Sequence, residues 1–443
     1  MSTSSRAGDS TPNSPRRPPG PIREAHAHLA ALGESLELVS LAACASLAEC
    51  LGVVRQAAEA AGPGASPFVR LHSARVQGWP EARWPTLSEL DVAAGAMPVV
   101  IMSFDHHSAA ANTAAFKLAG LRGGEPVPPN GVVVTEAGTT EPTGLLLEQA
   151  AYAAWRAAPE PTPDEQRRYV RAALAALAAL GYREVHDLHS QVWLGPLLAE
   201  LERAGELSLD VGLYSPADRL AADVAAAAAW TSQRVRLLGG KVFADGTLNA
   251  RTALMIHRYA EPLLGFPRGQ CLVSPAELGL RITEADGLGL HLAVHAIGDG
   301  AVRTVLDAIE RAAPRTAGFR IEHAELIDVA DVPRFARLGV VCSVQPCHLL
   351  ADVEALNRFV PHRLDRVLPL RELIDSGCRP GELLWFGSDV PIVGADPGDS
   401  VQAAVYRRRA GASEAEMIAP RQAITEQEAW ACFAPGAIGR RTI

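Results

Sequence analysis

What the 443-residue chain lacks narrows its role before any motif is read. It has no run of about 18 apolar residues, the length a helix needs to span a bilayer. Its start lacks the apolar central region of a secretory signal. It lacks an excess of positive charge: 41 Lys and Arg stand against 50 Asp and Glu, a formal net of −9. That balance argues against a general nucleic-acid binder, which carries a basic face. It also lacks the cysteine pattern of a disulfide framework. The seven cysteines (Cys44, Cys50, Cys271, Cys342, Cys347, Cys378, Cys432) are odd in number, widely spaced and form no CxxC pair. Reduced thiols in a cytoplasmic protein are the expectation. No repeat of about 20–50 residues suggests a solenoid or propeller.

What is present is ordinary for a globular chain. Hydrophobic residues make up 48% and charged residues 21%, enough to bury a core. The segment Met1 to Gly20 is Ser-, Pro-, Gly- and Arg-rich, cannot bury apolar surface, and is expected to be disordered. From Pro21 a strand-then-helix alternation sets in, interrupted at about 66–148 by short extended pieces broken by Pro and Gly. Extended segments are expected at Pro21–Leu29, Tyr182–Leu188, Leu207–Tyr214, Val235–Phe243, Leu290–His295, Phe319–His323, Val340–Val344 and Leu383–Phe386. Most of these eight are separated by helical patterns, which implies parallel βαβ units. Eight such units imply a TIM (β/α)8 barrel, one domain over 21–443 with a mixed α/β insert after the first strand.

Unusual polar residues sit at the C-terminal ends of these strands: His26 and His28, Lys241, His295, His323 and Asp389. In a parallel barrel those ends converge on one mouth, where active sites form. Residues i and i+2 of a strand share a face, so His26 and His28 can hold one metal ion; the bland alternative is two surface histidines. Lys241 lies in the apolar stretch LLGGKVFADG, where burial is costly unless the amine is paired or modified; a snorkelling lysine is the alternative. His295, His323 and Asp389 each have a capping or packing alternative. The coincidence of all five positions favours a ligand set for one or two metal ions.

The motifs around these residues carry a family resemblance. EAHAHLAALGESL, WPTLSELD, SFDHHSAAANTAAFKLAG, EPTGLLLE, GGKVFADGTLNARTAL, AVHAIGDGAV, RIEHAEL, SVQPCH and FGSDVPI follow one another in order. The chain resembles the metal-dependent amidohydrolase superfamily, in particular the amidohydrolase-3 group that includes N-substituted formamide deformylases. The resemblance implies that His26 and His28 bind a first metal. It implies that a carboxylated Lys241 bridges two ions, and that His295 and His323 hold the second. Asp389 would bind the first ion and shuttle the proton. Two zinc ions per chain are the implied cofactor. The implied reaction is hydrolysis of a non-peptide C–N bond, amide or formamide, in a small molecule by a metal-activated hydroxide. Asp105 and His107 are implied substrate contacts, and Glu322 and Asp299 are candidates to orient ligands.

The chain also departs from the family. The flanking β-sandwich is expected to be missing or truncated, exposing apolar barrel surface that leads either to poor folding or to pairing with another chain, a homodimer being one such pairing. Glu24 replaces the usual Asp, His106 the usual Gly, and Ala110 a common aromatic. An inactive, truncated relative acting as a binding protein is the competing expectation. A Rossmann-type oxidoreductase is disfavoured, because GDGAV lacks the G-x-G-x-x-G spacing.

Overall fold

A computed structural model describes residues 20–62, 68–121, 127–263 and 265–435. All of the expected N-terminal tail except Gly20 lies outside these residues. The strands in chain order are β1 (Ile22–Ala27), β2 (Val39–Ser40), β3 (Val69–Ala74), β4 (Val99–Ser103), β5 (Ser108–Ala111), β6 (Gly131–Thr135) and β7 (Pro142–Glu148). They continue with β8 (Tyr182–Leu188), β9 (Asp210–Pro216), β10 (Val235–Phe243), β11 (His291–Ala296), β12 (Arg320–His323), β13 (Val341–Val344) and β14 (Leu384–Phe386).

Eight strands form one parallel sheet in the order β1-β8-β9-β10-β11-β12-β13-β14. Parallel pairing needs helical crossovers that cover the sheet's outer face. The helix Pro163–Ala179 shows how the sequence builds one. Thr162 and Glu165 form a capping box, Pro163 takes the first turn, and Val170, Ala173, Leu174 and Leu177 bury one stripe. Where strands run close, side chains give way. At Gly239 of β10, a Cβ would lie 2.0 Å from the carbonyl oxygen of His291. The sheet closes where Ala27 bridges Val390: the Asp389 amide donates to His26 O at 2.7 Å and the His28 amide to Val390 O at 3.0 Å. The result is an α/β TIM-type barrel, as the eight expected segments imply.

The second sheet has the order β2-β3-β4-β5-β7-β6, parallel at β2–β4 and antiparallel beyond. It takes in Val39–Ser40, upstream of the 66–148 stretch. Its apolar residues pack into two clusters, one including Leu41, Val54 and Ile101, the other Val100, Phe116 and Leu146. The sheet is pinned over the barrel mouth: Asn130 Nδ2 donates to Leu272 O at 3.0 Å, and Gln77 Nε2 to Asn249 O at 3.3 Å.

Local differences from the sequence reading have local causes. The stretch Glu34–Ala61, helix-like in its residue pattern, is not one helix: Leu29–Ser35 and Leu47–Ala61 are separate, because Ser46 caps the second by accepting the Glu49 amide and Val39–Ser40 pairs with β3. A helix at Pro346–Phe359 begins on Pro346, a residue that suits a first helical turn. No helix among the described residues is long and apolar enough to cross a membrane.

Candidate metal and active site

The barrel mouth opens into a cavity of about 700 Å³. All eight candidate residues line it: His26 and His28 at the end of β1, Lys241 on β10, His295 on β11, His323 ending β12, Asp389 after β14, and Asp105 and His107 in the turn between β4 and β5. Residues up to 363 positions apart in sequence thus share one pocket, because parallel strands deliver their C-terminal ends to the same side.

Asp389 is the hub. Its Oδ1 lies 3.2 Å from His26 Nε2 and 2.9 Å from His28 Nε2, and its Oδ2 lies 4.0 Å from His323 Nε2. The His323 ring stands 4.9 Å from that of His26 and 4.5 Å from that of His295, centroid to centroid. The outward nitrogens are tied elsewhere. His26 Nδ1 donates to Glu322 Oε2 at 2.7 Å, and His295 Nε2 to the carbonyl of Gly246 at 3.1 Å. Each ring therefore keeps its other nitrogen for the cavity, the arrangement of orienting partners behind metal-ligating imidazoles. His26, His323 and Asp389 are close enough to share one ion.

Burial sets the electrostatics. It would raise the Asp389 pKa, but His26 and His28, both within hydrogen-bond reach, outweigh it and hold the carboxyl well below its usual range. Desolvation keeps His295 and His323 well below the ordinary imidazole value, so both are neutral lone-pair donors. Lys241 is 3% exposed, its Nζ has no hydrogen-bond partner, and burial lowers its pKa to about 8. His323 Nδ1 is likewise buried without a partner. A cluster of imidazoles, one carboxylate and an orphaned buried amine fits a divalent ion better than it fits an empty core.

The turn at Asp389 is held firmly. Asp389 (φ 63°) and His323 (φ 69°) both occupy left-handed backbone, uncommon outside glycine and characteristic of functional sites. Fully buried Glu24 clamps the seam: its Oε1 accepts the amides of His26 and Ser388, each at 2.9 Å, and its Oε2 the Ser388 hydroxyl at 2.9 Å. Gly387 makes room for this, since a Cβ there would lie 2.6 Å from the His26 nitrogen and 2.7 Å from Glu24 Oε1.

The second sheet contributes one wall. His107 Nδ1 bonds Glu148 Oε2 at 2.7 Å, and its ring stands 5.4 Å from His295. Burial would lower its pKa, but Glu148 and Asp105 raise it to about 9, so the ring is cationic. Asp105 spends both oxygens internally, Oδ1 on the Ser103 hydroxyl and the His107 amide, Oδ2 on the Thr247 hydroxyl at 2.6 Å. It latches the turn to the loop after β10. His106 has φ 60°, a backbone suited to the glycine usual at this place.

Of the two candidate orienting acids, Glu322 reaches His26, whereas Asp299 binds the Ile256 amide at 2.7 Å and Arg363 and does not line the cavity. Sequence reasoning missed Glu148, Glu325, His348 and Asp352 in the wall. His348 Nε2 donates to Ser388 O at 3.1 Å, and its Nδ1 faces Glu325 at 3.6 Å. The available signal was that RIEHAEL and SVQPCH place these groups just past the ends of β12 and β13.

The Amidohydrolase family model matches residues 21–439. The chain belongs to the amidohydrolase family. YtcJ of Bacillus subtilis is 30% identical over 356 residues, 75% of this chain and 64% of that protein. This member of the family thus spans just under two thirds of that relative's length. N-substituted formamide deformylase of Arthrobacter pascens is 26% identical over 92% of this chain and 76% of its own length. An uncharacterised metal-dependent hydrolase from Pyrococcus horikoshii aligns with a TM-score of 0.68 at 27% identity, covering 92% of this chain and 78% of that one. Every residue that lines the cavity described above falls within the matched region.

Proposed function

We propose that the chain is a metal-dependent hydrolase cleaving a non-peptide C–N bond, of the amide or formamide kind, in a small-molecule substrate. The observation that carries this reading is the orientation of the donors: His26 and His28 aim Nε2 at Asp389 while His26 Nδ1 and His295 Nε2 are tied away from the cavity. His26, His28 and Asp389 would hold one divalent ion, and His295 and His323 a second. Mixed imidazole and carboxylate donors favour zinc. When bound, such ions polarise a carbonyl oxygen and lower the pKa of a water.

Lys241 would join the two sites as a carbamate. In its neutral form the unpartnered amine would add to carbon dioxide: a C–N bond forms, one C=O π bond opens onto oxygen, one N–H proton passes to water, and the product is an anionic oxygen donor. Asp389 accepts a proton on a carboxylate oxygen and returns it to the leaving nitrogen. His107 has Nδ1 committed to Glu148, which leaves Nε2–H to donate to a substrate oxygen. Asp105 and Glu148 fix that ring by holding the second sheet to the loop after β10: Asp105 through Thr247, Glu148 through Thr252. The likeness to N-substituted formamide deformylase supports the formamide class.

Elemental analysis of the purified, metal-replete chain, joined to a screen of N-acyl and N-formyl compounds, tests this. The expected result is about two ions per chain, turnover of at least one compound, and loss of turnover in Lys241→Ala. A chain that retains no metal overturns the reading. Full metal content with no turnover across the panel favours a binding protein instead.

A further inference from the structure

Below the mouth the barrel axis is charged, and no step of the proposed hydrolysis uses it. A (β/α)8 barrel ordinarily fills its interior with layers of branched aliphatic side chains. Here Arg320, the first residue of β12, stands there fully buried. A guanidinium has five N–H donors and no acceptor, so the direction of every bond it makes is fixed. Nη1 donates to His186 Nδ1 at 3.0 Å and to the Tyr214 hydroxyl at 3.3 Å. Nη2 donates to the carbonyl of Ala25 and to Ser343 Oγ, and Nε to Glu322 Oε1. Its partners come from β8, β9, β1, β13 and β12 itself, five of the eight barrel strands.

The consequences run in both directions. Because His186 Nδ1 accepts from Arg320, its Nε2 carries the hydrogen and donates to Glu184 Oε1 at 2.9 Å. Glu184 lies near the start of β8, at the end of the barrel away from the mouth, and is 20% exposed in its side chain. Toward the mouth, Glu322 is stretched between Arg320 on Oε1 and His26 Nδ1 on Oε2. The orientation of Glu322 thus decides which nitrogen of His26 faces Asp389. An unbroken line, Glu184–His186–Arg320–Glu322–His26, joins the two ends of the barrel. A buried ion pair is a poor device for gaining stability over an apolar core, so stability alone does not account for it.

Resting on the hydrolase reading above, we infer that Arg320 is a positioning residue for the metal centre: through Glu322 it locks His26 with Nε2 toward the ion, and it is itself aligned by His186 and Tyr214. Lysine cannot reproduce this, because one ammonium cannot serve partners on five strands in a fixed fork.

The test measures zinc affinity of the full chain by competition with a chelator, alongside circular dichroism and the thermal midpoint of the metal-free protein. Arg320→Lys is expected to weaken zinc binding by about 10- to 100-fold, the range found when partners behind metal ligands are removed. Tyr214→Phe, which deletes one hydroxyl bonded to Arg320 and little volume, shifts affinity the same way by a smaller factor. The effects of Arg320→Lys and Glu322→Gln are non-additive, as for residues of one network. A merely structural arginine would lower the thermal midpoint and leave the affinity of the folded protein unchanged; that result overturns the inference. If Arg320→Lys does not fold, unchanged affinity in Tyr214→Phe overturns it. An unaltered chain that binds no zinc overturns the hydrolase reading as well, whereas one that binds it beside equally competent variants overturns only the role of Arg320.

Discussion

The two faces of the barrel sheet differ in kind. Between strands and helices lies an aliphatic layer: Leu198, Val211, Leu292, Val302, Leu306 and Ile321 are all fully buried in one continuous cluster. Along the axis lie Arg23, Arg320, Glu322, His186 and Tyr214, buried just as deeply. Arg23 stacks 3.8 Å over Trp385, and Arg320 bridges five strands. The outer layer gains free energy from area removed from water and tolerates similar shapes. The axis offsets desolvation through directed bonds, each of which has one geometry. The shell specifies the barrel, while the axis and mouth specify the position of a few nitrogens and oxygens.

Substitutions should separate these contributions. The largest effect is expected at the mouth: Asp389→Asn lowers kcat by about 10²–10⁴-fold, the scale of general acid–base catalysis, with an unchanged unfolding midpoint. A comparable loss of stability in that variant would erase the distinction between mouth and shell. In the shell, Leu306→Ala is expected to cost about 2–5 kcal/mol in denaturant unfolding, while zinc affinity of the folded protein stays the same. At the shell's outer rim, Thr162→Ala removes a capping box and costs about 1 kcal/mol, read in the same experiment.

The smallest effect concerns pH. A hydrogen bond from Arg83 holds Glu89 at about 2, down from its usual 4.5. A carboxylate with a depressed folded pKa contributes stability that is present above 4.5 and lost as pH falls through 2. Glu89 is partly exposed, so the contribution is slight. Thermal midpoints of the unaltered chain and Glu89→Gln should converge between pH 5 and pH 2, with curves that stay parallel counting against the assignment.

The shell was legible in the sequence because its signals are local. Strand segments and amphipathic helices repeat at their own periods, and caps such as Thr162–Glu165 mark boundaries. The mouth was legible because His26, Lys241, His295, His323 and Asp389 stand out against apolar strands. The strands β2, β5 and β7 were not, since two to seven residues with small or mixed side chains become strands only through pairing partners. The axis was invisible for a stronger reason. Arg320 and His186 are 134 positions apart, on strands that are not neighbours in the sheet, and each reads alone as an ordinary polar residue, Arg320 at the start of β12 and His186 inside β8. Glu325 and His348 escaped for the same reason, being neighbours only across the mouth.

The clamp of Glu24 on Ser388 has a consequence for the order of assembly. The first and last barrel strands are also the two whose meeting completes the cluster of His26, His28 and Asp389. During synthesis, β1 emerges first and has an open edge until the residues around Val390 arrive. Until that pairing forms, the sheet has an open edge, and the donors of this cluster belong to two strands that have not yet met. The donor set of this cluster is complete only when the seam is shut, so closing the barrel and assembling this cluster are one event.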